Sequence, residues 1–203
     1  MAGLLSNFRN TFIVGFLLAV VMIVAYATGP QGAGPVFVQA VMRWMHVFFG
    51  ILWIGLLYYF NFVQIRVMPA VPAELKPGVS KYIAPEALFW FRWSALATVI
   101  MGLAIAGSRG YIVQTLSLGF AGGDGTASKQ YLLLGIGMWL GIIMMLNVWG
   151  IIWPNQKRAL GLVEADADTK AKAAKMAMLG SRTNLMLSLP MLVAMTMSQT
   201  IFG

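Results

Sequence analysis

Apolar residues gather into five runs along the chain, at about 8–27, 36–65, 87–107, 131–153 and 185–202, each bounded by glycine, proline or charged residues. About 20 helical residues, rising 1.5 Å each, cross ~30 Å of hydrocarbon, so every run is long enough for one crossing. The pattern predicts an all-α integral membrane bundle of about five transmembrane helices, forming a single transmembrane domain over residues 1–203. Between the runs, 66–86 and 154–184 read as loops on the same side of the membrane. The first holds Pro69, Pro72, Pro77 and Pro85 and reads as extended or turn-like. In the second, Asp166 and Asp168 precede Lys170, Lys172 and Lys175, followed by alanines and Gly180. That order predicts a short surface helix touching lipid headgroups. The opposite loop, 108–130, collects Gly119, Gly122, Gly123 and Gly125 around Asp124, without the lysine and spacing of a phosphate-binding loop.

The second run carries an unusual stripe. Gln39, Arg43, His46, Gly50, Trp53, Leu57, Asn61 and Gln64 recur mostly at alternating spacings of four and three, and therefore share one helix face. Polar side chains are costly in lipid, so this face is expected to point into the bundle. His46, the one histidine, lies roughly 15 Å from the start of that helix, deep enough for its imidazole to be neutral. Gly50, one turn on, would let a flat macrocycle approach the backbone, and Arg43, one turn back, would pair with a propionate. The same residues also fit a histidine hydrogen-bonded to a neighbouring helix, with Arg43 reaching out to the membrane surface. With a single histidine, bis-histidine ligation within one chain is excluded.

Charge supplies an orientation. With the N terminus in the cytoplasm, internal segments hold Arg9, Arg66, Lys76, Lys81, Arg92, Lys157, Arg158, Lys170, Lys172, Lys175 and Arg182, which is 11 of the 14 basic residues. This satisfies the positive-inside rule and puts the C terminus outside. The first helix reads as uncleaved, since no small-residue cleavage site follows it. The net charge of +8 points to anionic lipid rather than to nucleic acid. Hydrophobic residues make up 60% and charged residues only 10%, which excludes an ordinary soluble domain. The chain has no cysteine, which excludes disulfides, thiolate metal sites and covalently attached c-type haem. The carboxylates Glu74, Glu86, Asp124, Glu164, Asp166 and Asp168 fall in loops or at helix ends, which disfavours a proton-coupled transporter or cation channel. Asn147, Asn184, Ser188, Thr196 and Gln199 lie within spans and are expected to form interhelical hydrogen bonds. Gly137 and Gly141 are expected to admit a close neighbour, and Pro190 to kink the last helix.

Several stretches resemble the N-terminal membrane domain of bacterial cytochrome-c-type urate oxidases. They are Arg43-Trp44-Met45-His46 running on to Gly50, Trp53, Gly55, Tyr59 and Phe60; Phe91-Arg92-Trp93; the run from Asn147-Val148-Trp149 to Pro154-Asn155-Gln156-Lys157; and Ser181-Arg182-Thr183-Asn184 leading to Ser188-Leu189-Pro190-Met191. The resemblance spans most of the chain from about Gln39 onward, and the Asn147–Lys157 stretch is its most specific part. It implies a haem-associated protein of the bacterial inner membrane, linked to purine oxidation and electron transport toward a cytochrome c or the respiratory chain. Family members continue into a c-type cytochrome domain, whereas this chain ends at Gly203 without cysteine, so a short form served by a separate cytochrome c is expected. The leading expectation is a subunit binding haem b through His46, with Arg43 and Gly50 in support. The alternatives are a structural or assembly subunit of a larger membrane complex, and a urate-oxidising enzyme working with a separate cytochrome c.

Overall fold

The computed structural model describes residues 2–30, 32–122 and 128–202. Gly123, Asp124 and Gly125 of the glycine-rich loop lie outside the described residues. Among those described there is no strand, and five helical stretches are long and apolar enough to cross a membrane. We call their main helices α1 (Phe8–Ala27), α2 (Pro35–Tyr58), α3 (Ala84–Ser108), α4 (Lys129–Asn147) and α5 (Ala167–Phe202). The all-α, five-span expectation therefore holds.

Two compact units divide the chain, Met1–Trp44 and Met45–Gly203. In the first, α1 starts at Asn7, whose extended backbone and side-chain oxygen, accepting from the Asn10 N–H at 3.2 Å, form an N-cap. None of the residues of α1 is buried, and Phe8, Phe12, Leu17, Val21 and Met22 are all exposed. Such a surface suits lipid as its surroundings.

The second unit packs around Trp53, Leu57, Phe60, Leu88, Phe91, Ala95, Met144, Val148, Ile152 and Met191. Two π-helical turns, Tyr59–Gln64 after α2 and Val148–Ile152 after α4, lie in this core. A wider turn of this kind rotates the side chains beyond it relative to a regular helix.

The two connectors differ from their expected forms. Residues 66–86 are largely helical, in short pieces at Ile65–Val67, Met68–Ala70, Lys76–Gly78 and Val79–Ile83. Pro69, Pro77 and Pro85 each stand at the first or second position of one of these helical pieces. The larger correction concerns 154–184. There is no separate surface helix ending at Gly180; α5 runs unbroken for 36 residues, with Gly180 and Pro190 inside it. Gly180 serves close packing instead: a Cβ there would lie 3.0 Å from Ile152 Cγ1 and 3.2 Å from Asn147 Oδ1. The N-terminal half of the forecast stands, because Asp166 caps α5 by accepting from the Thr169 N–H at 2.7 Å and the Thr169 hydroxyl at 2.9 Å.

Candidate functional site

Within the second unit the stripe faces inward as its periodicity predicts. Trp53, Leu57 and Asn61 are buried, and His46, Gly50 and Gln64 are partly buried. Arg43, in the first unit, is exposed.

His46 Nδ1 lies 2.8 Å from the Thr98 carbonyl oxygen of α3. A carbonyl only accepts, so Nδ1 carries the proton, and in a neutral ring the lone pair falls to Nε2. The imidazole also rests against Gly102, one turn beyond Thr98: a Cβ on Gly102 would stand 3.0 Å from His46 Cε1 and 3.2 Å from Nδ1. Thr98 and Gly102 thus orient the ring, one by hydrogen bonding and one by lacking a side chain. Neither is distinctive in the sequence, since their partner is more than 50 positions away. At Gly50 a Cβ would meet only Thr98 Cγ2, at an ordinary 3.7 Å, so packing against α3 does not demand glycine there. A fixed Nδ1 donor, an Nε2 lone pair and a glycine one turn along fit an axial histidine of a haem.

A second constellation joins the other motif stretches. Asn147 Nδ2 donates to the Gly180 carbonyl at 2.9 Å and to Asn184 Oδ1 at 2.7 Å, while Asn184 Nδ2 donates to the Met144 carbonyl at 3.0 Å. Asn184 is completely buried, so these bonds lock α5 against α4 through groups that cannot turn to water. Tyr58 and Ser188 hydroxyls lie 3.3 Å apart, and Asn61 Nδ2 donates to Ser181 Oγ at 2.9 Å. The expected interhelical bonding is therefore present for Asn147, Asn184 and Ser188, whereas Thr196 bonds back to the Leu192 carbonyl of its own helix and Gln199 is exposed. Gly137 meets Ala194 and Met195 closely, while Gly141 has open space.

Phe91-Arg92-Trp93 meets the Asn147–Lys157 stretch directly. Trp149 Nε1 donates to the Arg92 carbonyl at 3.1 Å, Trp93 and Trp149 pack edge to face at 5.2 Å, and the Arg92 guanidinium lies 3.9 Å from the Trp153 ring centroid.

Away from His46, a cavity of about 400 Å³ opens between the π-turn after α2, the start of α3, the segment after α4 and the polar half of α5. Phe60, Leu88, Phe91 and Ile152 form its apolar floor, and Gln64, Lys76, Gln156 and Ser181 supply its polar groups. No group of acidic and histidine side chains suited to a metal ion occurs among the described residues.

No curated protein and no solved structure matches the chain. The matched segment contains the Asn147–Lys157 and Ser181–Met191 stretches but neither His46 nor its partners on α3. Residues 123–200 match the family described as urate oxidase N-terminal, so the α4–α5 part of the chain is similar to that family.

Proposed function

We propose that this protein is a membrane subunit in electron transfer that holds a b-type haem on His46. The observation carrying this reading is the 2.8 Å contact between His46 Nδ1 and the Thr98 carbonyl, which assigns the lone pair to Nε2. A haem held there would supply reversible one-electron chemistry. The chain's own contribution is to fix the imidazole through Thr98 and Gly102, leave clearance at Gly50, and offer Arg43 as a propionate partner three residues earlier in the sequence. The basic-residue asymmetry supports a cytoplasmic N terminus in a bacterial inner membrane. A cytochrome c or a larger membrane complex would take the electron.

Absorption spectra of the purified protein from haem-replete cells, before and after dithionite, test the reading. A Soret band that is lost in His46→Ala is expected; absence of a band in the parent, or an unchanged spectrum in the variant, rejects it. One observation favours a second reading, a structural subunit related to the membrane part of urate oxidase. The matched segment contains the buried Asn147–Asn184 lock, while His46 falls outside it. Copurification in a stoichiometric complex without pigment would support that alternative. Uric acid turnover by membranes supplied with a cytochrome c would instead support an enzyme.

A further inference from the structure

Arg92 stands about 8 Å inside the apolar run 87–107, near the depth at which lipid phosphates give way to acyl chains. A cation at that depth is stabilised by an opposite charge, yet its guanidinium meets rings instead, 3.9 Å from the Trp153 centroid and 5.2 Å from that of Phe89. Among the described residues no oxygen accepts from its side-chain N–H groups. Lys157, one turn beyond Trp153, brings its Nζ to 5.8 Å from the same indole. Two cations therefore share one ring. Glu86, the one carboxylate of α3, is taken by the Trp90 indole, whose Nε1 donates to it at 3.0 Å. The arrangement is built by tertiary structure: Trp149 Nε1 donates to the Arg92 carbonyl at 3.1 Å and Trp93 packs on Trp149, which fixes α3 against the segment carrying Trp153 and Lys157. Beside Arg92, Phe89 and Trp93 are exposed, their ring centroids 6.5 Å apart.

We propose that Arg92, Trp153 and Lys157 form a binding site for an anionic phospholipid, its phosphate held by the guanidinium and the ammonium and an acyl chain lying along Phe89 and Trp93. Charge complementarity selects the headgroup: two cations without a carboxylate favour a net negative lipid, whereas the choline of a zwitterionic one would bring a third positive charge to them. The exposed rings select a lipid over a soluble anion, which would gain nothing from Phe89 and Trp93. Trp153 holds the guanidinium flat and so presents its N–H edge to the incoming oxygens. The site is independent of the haem reading, because lipid retention is read whether or not pigment is present.

The test is native mass spectrometry of the full chain in detergent, titrated with phosphatidylglycerol or phosphatidylcholine of identical acyl chains. Expected is saturable retention of phosphatidylglycerol, roughly tenfold tighter than phosphatidylcholine. Lys157→Gln should weaken it about fivefold, the effect of one basic residue at a membrane surface, while leaving the thermal unfolding profile unchanged. Arg92→Lys keeps the charge but loses the planar fork, and should weaken retention as well. Lys172→Gln, at an exposed position in the polar half of α5, should change nothing. Equal retention of the two lipids, or no saturable retention of either, overturns the proposal. So does an equal loss in Lys157→Gln and Lys172→Gln, which would reduce the effect to general surface charge, and so does displacement of the lipid by inorganic phosphate. Should Arg92→Lys fail to fold, the comparison of Lys157 with Lys172 still decides.

Discussion

The surroundings of His46 and of Asn184 are both polar places inside an apolar bundle, yet they are built differently. Asn184 is fully buried, and its amide is engaged on both sides, by Asn147 and by the Met144 carbonyl. His46 is only partly buried, and its Nδ1 is committed to a backbone carbonyl. The first arrangement spends its polarity on holding helices together. The second orients a single ring against a neighbouring helix. Polar character in a membrane span therefore does not by itself mark a site: the distinction lies in what each group is joined to, a second side-chain amide in one case and a backbone carbonyl in the other.

The largest effect that would break this contrast is expected at Asn184. Asn184→Leu removes two interhelical bonds, leaving Asn147 tied to α5 only through the Gly180 carbonyl, and costs about 2–3 kcal/mol. Thermal unfolding in detergent should show the loss, and any haem spectrum should be retained in the fraction that stays folded. Next comes Gly102→Val, which forces a side chain into the space of the imidazole. About 1–3 kcal/mol of overpacking strain is expected, and, if haem is bound, a shifted Soret band. An unchanged spectrum with intact pigment would separate ring placement from haem binding. Tyr58→Phe removes one long hydroxyl contact with Ser188 and should cost about 0.5 kcal/mol in the same unfolding assay.

The smallest effect lies outside the spans. The Thr169 backbone N–H, followed by its hydroxyl, holds the exposed Asp166 carboxyl below its ordinary value. A folded-state pKa below the unfolded one adds stability above the unfolded pKa, and that stability disappears as pH falls through the folded value. Asp166→Ala should therefore speed amide hydrogen exchange in the first turn of α5 at neutral pH. The difference from the parent should vanish once the solution is acidic enough to protonate the aspartate.

The five spans were legible because run length is a local property, and the inward face of α2 was legible because its period is local too. The continuity of α5 was not. A search for apolar runs stops where the polar half from Ala167 to Gly180 begins, although helix geometry is indifferent to polarity. Gly180 read as a terminator because glycine commonly ends helices, whereas its actual role is set by Ile152 and Asn147 across the interface. The His46 half-site was visible as a histidine with a glycine one turn away. Its determinants Thr98 and Gly102 were not, since each acquires meaning only from a helix far away in sequence. The three π-turns had no sequence signal, because each arises from one additional residue accommodated within an otherwise ordinary helix.

The length of α5 has a mechanical consequence. Thirty-six residues extend about 54 Å at 1.5 Å each, against ~30 Å of hydrocarbon. Roughly the surplus must stand clear of the lipid as a stiff post continuous with the helix that carries the Asn184 lock. A partner gripping Ala167–Gly180 would be held at a fixed stand-off from the membrane. A push or twist applied there would travel along one continuous helix as far as Asn184.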